Sequence, residues 1–143
     1  LAAWRETAEE TGLLVGVKRD RPPKSPDGLW EEFAKAGVHP DLGQFYFVTR
    51  AITPPGRNRR FDARFFTADA ASIAHRIEGA VGPNSELVEL VWMPVSQAKT
   101  LDMPTITGIV LDELASRVAA GMHHHLPVPM YYMENGKFCR ELL

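Results

Sequence analysis

Apolar and polar positions along this chain follow two rhythms. In "LAAWRETAEET", Leu1, Trp4, Ala8 and Thr11 fall on one narrow arc when each residue advances by about 100°, and Glu6, Glu9 and Glu10 fall on nearly the opposite arc. The pattern predicts a helix over 1–11, with Gly12 as its C-terminal cap. "LLVGV", residues 13–17, is apolar on both sides and predicts a buried strand. The charged, Pro-rich stretch 18–28 predicts a loop. Asp27 is placed to cap a short helix from Leu29 to Ala36, ended by Gly37.

The second rhythm has a period of two. "QFYFVTRAIT" (44–53) and "FDARFFTA" (61–68) are aromatic and β-branched, predicting two strands joined as a hairpin through a long turn. Residues 69–85 carry no clear period and are assigned to loop, with a turn of helix at most. "ELVELVWMPV" (86–95) predicts a third strand. Ser96 is placed to cap a short helix running to Thr100. The helical period returns from Pro104 to Ala120 with Ile106, Ile109, Val110, Leu114 and Val118, and Gly121 ends it. Near the C-terminal end, Asn135-Gly136 sits between two strand-like runs, and both residues tolerate the positive φ of a tight hairpin turn.

Composition narrows the picture. With 143 residues, 45% hydrophobic and 24% charged, the chain is expected to form one domain over 1–143. A formal net charge of −2 gives no global attraction to nucleic acid or to an anionic membrane. No run of about 18 apolar residues predicts a membrane span. A single cysteine, Cys139, excludes an internal disulfide and suggests a reducing compartment, the cytoplasm. Leu1 stands within a helical pattern, so the chain is expected to be a piece of a longer protein.

The acidic arc of the first helix calls for a reason. Carboxylates at spacings of three and four repel, each pair costing a few tenths of a kcal/mol, and the partial negative charge at the helix C-terminus adds to the cost. A solvated acidic face is the plain explanation. The alternative is a divalent cation, because hard carboxylate oxygens at this spacing suit Mg²⁺ or Mn²⁺. Arg5 stands beside them and can hold one carboxylate by a forked hydrogen bond.

"RETAEETGL", Arg5 to Leu13, resembles the second half of the Nudix box, with Arg5, Glu6, Glu9, Glu10, Gly12 and Leu13 matching and Thr7 standing where a bulky aliphatic residue is usual. The opening glycine and first glutamate of that box would lie upstream of Leu1. "ELVELVWMPVSQA" and the long helix after it are similar to the strand, turn and helix that come after the box in this family. "RRFDARFF" and "LDMPTI" resemble a bacterial subset close to the coenzyme A diphosphatase-type Nudix enzymes. The resemblance implies an α/β fold, an α/β/α sandwich with a mixed β-sheet, truncated at its N-terminus. It also implies a hydrolase that cleaves the diphosphate of a nucleoside diphosphate derivative, with coenzyme A or acyl-coenzyme A as the first substrate to test. Glu6, Glu9 and Glu10 would ligate Mg²⁺ or Mn²⁺, Glu9 or Glu6 would double as proton acceptor, and Arg5 would orient a glutamate. Gly12 would turn the chain sharply into the next strand. The rival readings are a nucleotide-binding or regulatory module that keeps the fold without turnover, and an inactive fragment of an active enzyme. A homodimer is left open.

Other residues carry weaker signals. Arg57, Arg59, Arg60 and Arg64 are clustered, and on a strand Arg60, Asp62 and Arg64 share a face. Arg60 or Arg64 gripping substrate phosphate competes with a surface Arg60–Asp62–Arg64 network. Glu86 and Glu89 could supply a base from outside the box, but an ordinary polar strand face is preferred. Trp30, Phe45, Tyr46 and Phe47 could stack on a base, although aromatics at strand spacing are more often core. His123, His124 and His125 are consecutive, do not converge on one ion, and are assigned to a solvated loop. Cys139 is assigned to buried packing in the last hairpin.

Overall fold

The computed structural model describes residues 1–24 and 28–143. In chain order the elements are α1 (Ala2–Thr11), β1 (Leu13–Val15), β2 (Val17–Lys18), α2 (Trp30–Lys35), β3 (Val38–His39), β4 (Tyr46–Ile52), β5 (Asp62–Thr67), β6 (Ile73–Arg76), α3 (Val95–Ala98), α4 (Thr105–Ala119), β7 (Pro129–Glu134) and β8 (Lys137–Leu142). The class is mixed α/β. The chain forms two compact units, each assembled from two separate segments: Leu1–Phe45 with Ala68–Trp92, and Tyr46–Thr67 with Met93–Leu143.

In the first unit, α1 packs its apolar arc inward, burying Trp4 and Ala8. These meet Leu14 and Val15 of β1, Phe33 of α2 and Val38 of β3 in one cluster. Leu14, Phe33 and Val38 are fully buried, each contributing roughly 2 kcal/mol by removing its side chain from water. Leu1, assigned to the apolar arc, is instead exposed. β1 pairs antiparallel with β6, and β2 with β3. The short helix α2 begins after Leu29 without a side-chain cap; Glu31 and Glu32 complement the dipole of its first turn and Lys35 that of its last. Asp27, proposed as its cap, lies outside the described residues.

The second unit is built on a four-stranded mixed sheet in the order β5-β4-β7-β8. β4 runs antiparallel to β5 and parallel to β7, and β7 and β8 form a hairpin. The turn of that hairpin has φ 49° at Asn135 and 76° at Gly136, the primed-turn geometry expected of Asn-Gly. α4 packs on β4. The buried center is Val48, Thr49 and Ala51 of β4 with Tyr131 of β7, and the Thr49 hydroxyl donates to the Pro129 carbonyl at 2.7 Å.

Four expectations are corrected. Residues 86–95 do not form a strand; only the short helix α3, entered through Pro94, begins there. Among the described residues no strand pairs with this stretch, and Val88, Val91 and Trp92 stay exposed. A β-prone sequence without a ladder partner gains nothing from extending. Residues 69–85, assigned to loop, contain β6, whose pairing to β1 is a long-range contact that local pattern does not carry. The strand 13–17 is two pieces, because the chain breaks at Gly16. Finally, Val118 is exposed whereas Arg117 is buried, while Ile106, Ile109, Val110 and Leu114 are half-buried, so α4 departs from its expected inward face only at its last turn.

Candidate functional site

The segment Arg5–Leu13 folds as the end of α1, a left-handed glycine and the start of a buried strand. Gly12 has φ 71°, its N–H donates to the Ala8 carbonyl at 2.9 Å, and its own carbonyl accepts from Ile77 N–H at 2.8 Å. A Cβ at Gly12 would lie 2.6 Å from the Ile77 oxygen, so both φ and space require glycine. Thr11 fastens the same junction: its hydroxyl donates to the Thr7 carbonyl at 2.5 Å and accepts from Leu13 N–H at 3.2 Å. Sequence reading placed Thr11 on the apolar arc and missed this tie.

On the outer face, Arg5 donates from Nη1 to Glu9 Oε2 at 2.5 Å and stands 3.6 Å from Glu6 Oε1. The hydrogen bond to Glu9 raises the Arg5 pKa further, with the Glu9 charge adding to it. Glu6 and Glu9 are exposed and Glu10 is half-buried. The three carboxylates are hard donors of the type that Mg²⁺ and Mn²⁺ take. Among the described residues, however, no group of three or more His, Cys, Asp or Glu side chains is arranged to hold an ion; Glu9 is turned to Arg5. The donor chemistry fits a divalent cation, and the exposed side chains have room to reorient. Arg5 also lines a cavity of about 490 Å³ together with Lys24, Trp30 and Phe33.

Arg60 and Arg64 belong to the second unit. Arg60 is exposed and its Nε donates to the Thr53 carbonyl at 3.1 Å. Arg64 Nη2 lies 3.5 Å from Asp62. The principal partner of Asp62 is Arg50, which sequence reading passed over: its Nε and Nη2 reach the two carboxylate oxygens at 2.7 Å each. Arg50 and Arg64 face each other across the β4–β5 ladder, and that cross-strand register is the signal that a sequence alone does not display. The forked bond from Arg50 holds the Asp62 carboxyl below its ordinary pKa.

A second polar network was also missed. The buried Tyr131 donates its hydroxyl to Glu113 and accepts from Arg140 Nε at 3.0 Å, while Arg140 Nη2 lies 3.2 Å from Glu113. Burial, then the bond to Glu113, pushes the Tyr131 phenol up. Arg117 donates to the carbonyls of Val48, Leu126 and Pro127 at 3.3, 3.3 and 2.6 Å, stitching α4 to β4 and to the approach of β7.

The remaining candidates take ordinary places. Phe45 stacks obliquely on Trp4 at 4.1 Å and Trp30 on Phe33 at 5.2 Å. Tyr46 stacks on His124 at 4.3 Å and Phe47 on Phe66 at 5.0 Å. His123, His124 and His125 are exposed, as a solvated loop requires, and Cys139 is half-buried. Glu86 and Glu89 are exposed on the irregular stretch. Among the described residues no helix is long and apolar enough to cross a membrane.

Comparisons with known proteins return little. No protein-family model matches the chain, and no solved structure matches it. The chain is similar to Protein U54 of Human herpesvirus 6B (strain Z29), 31% identical over 106 residues that cover 70% of this chain and 22% of that protein. It therefore spans about a fifth of the length of that curated relative, whose name states no activity.

Proposed function

We propose that the chain carries part of a divalent-metal-dependent hydrolase of the Nudix type, acting on the diphosphate linkage of a nucleoside diphosphate derivative. The observation that carries the reading is the junction at Arg5–Leu13: an exposed row of carboxylates, tethered by Arg5, on a helix that a left-handed glycine turns directly into a buried strand. That junction gives the motif's arginine, glutamates and glycine each a physical task. The Nudix-specific α/β/α sandwich and a cytoplasmic setting belong to the same proposal.

Glu6, Glu9 and Glu10 would hold Mg²⁺ or Mn²⁺, which when bound neutralises charge on the pyrophosphate and lowers the pKa of a bound water. The chain's own residues do the positioning. Arg5 fixes the direction of the Glu9 carboxylate and, more loosely, that of Glu6. The buried Trp4 and Ala8 on the opposite face anchor the helix, so the carboxylates move with a rigid element rather than a loop. Trp30, at the edge of the cavity that Arg5 lines, offers an aromatic face to the base. Coenzyme A or acyl-coenzyme A heads the substrate list.

The test is a panel of nucleoside diphosphate derivatives with Mg²⁺ and with Mn²⁺, read by the release of monophosphate products. Glu9→Gln should lower turnover at least a hundredfold with the circular dichroism spectrum unchanged. Full activity in that variant overturns the site. Ligand binding without turnover or metal uptake, in the unaltered protein, would favour instead the non-catalytic nucleotide-binding module.

A further inference from the structure

The second unit holds a cavity of about 720 Å³ between its sheet and the start of α4, within the ~300–1,000 Å³ usual for small-molecule sites. Its existence follows from the sequence. Ala51 and Ala63 are cross-strand partners on β4 and β5, both line the cavity, and their short side chains leave the sheet unfilled there. The walls are apolar: Phe61, Phe65, Ile106, Ile109 and Phe138. Phe61 and Phe138 remain 62% and 58% exposed, which leaves two aromatic rings wet at one concave site.

One charge breaks the apolar lining. Arg57 lines the cavity, no Asp or Glu does, and among the described residues Arg57 has no ion-pair partner. The first turn of α4 lines it too, through Pro104 and Thr105. That 15-residue helix has Pro104 at its N-cap, no side-chain cap and no acidic residue in its first turn, so no side chain caps the positive end of its dipole by a hydrogen bond. An apolar cavity with a free guanidinium and an uncapped helix N-terminus, and with no carboxylate of its own, has one complementary class of occupant.

We infer that this cavity binds an anionic amphiphile of small size, its hydrocarbon chain or ring lying among Phe61, Phe65, Ile109 and Phe138 and its carboxylate or phosphate head at Arg57. The inference stands apart from the hydrolase reading, since it uses neither the carboxylates of α1 nor a metal.

Calorimetric titration of the full chain, without divalent cations, with octanoate, octyl phosphate, 1-octanol and inorganic phosphate tests it. At least one of the two anionic amphiphiles should bind, and the tighter of the two identifies the head group. 1-Octanol and inorganic phosphate should each bind at least about tenfold more weakly, since each lacks half of the complement. Ala63→Leu should fill the cavity and weaken binding by about tenfold or more; Arg57→Glu, at an exposed loop position where folding is not at stake, should do the same. Binding of neither anion, binding of 1-octanol as tight as that of the anions, or wild-type affinity in Arg57→Glu overturns the inference.

Discussion

Asp62 receives two hydrogen bonds from Arg50 and has Arg64 within 3.5 Å, so its ionised form is favoured in the folded chain and its pKa is lowered, mainly by the bond from Arg50. A depressed folded-state pKa contributes stability above the unfolded value and loses it as pH falls through the folded one. Thermal melts between pH 7 and pH 2 should therefore show Asp62→Asn less stable than the parent at neutral pH. The gap should close below about pH 4, where the unfolded carboxyl is protonated. A gap as wide at pH 2 as at pH 7 contradicts the assignment. At this scale the sequence was half legible. It showed Arg60, Asp62 and Arg64 on one strand face, but the dominant partner, Arg50, sits on the neighbouring strand, where only the register reveals it. Arg117 was hidden in the same way. Nothing in its neighbours along the chain indicates three carbonyls converging on one guanidinium.

Among the elements, the junction between α1 and β1 was the most legible, because each of its parts is local. A helical apolar arc, a glycine stop and an apolar triplet need no distant partner to be recognised. The structure adds that Gly12 is fixed by its left-handed φ and by the nearby Ile77 oxygen. Gly12→Ala should cost about 2 kcal/mol from the left-handed strain and the close approach, read as a lower urea midpoint with an unchanged m-value. A loss within 0.5 kcal/mol, the range of ordinary surface substitutions, would mean that the junction relaxes freely. The illegible elements share a cause. β6 exists because β1 offers it a ladder, and the β-rich stretch 86–95 fails to become a strand because no ladder reaches it among the described residues. Periodicity records which face of a segment is apolar; it does not record whether a neighbour is present.

For the whole molecule, the presence of both helices and strands was legible from the two periods, the α/β class with a mixed sheet was what the resemblance implied, and the four-stranded sheet is mixed. The partition into two compact units was not legible, because each unit joins segments remote in sequence. Protection should follow this partition. In native-state hydrogen exchange the amides of Leu14 and Val15 in one unit, and of Val48, Ala51 and Tyr131 in the other, should be the slowest. Those of Val88 to Met93, which donate no backbone hydrogen bond among the described residues, should exchange at rates close to an unfolded peptide. Strong protection across 88–93 would mean that the stretch pairs after all. The division of each unit into two pieces also bears on ancestry. A genetic crossover anywhere along the chain severs at least one unit, since a break near residue 45 divides the first and a break near residue 92 divides the second. Shuffling between relatives therefore preserves both only when three breakpoints, near residues 45, 67 and 92, exchange the 46–67 block together with the C-terminal stretch.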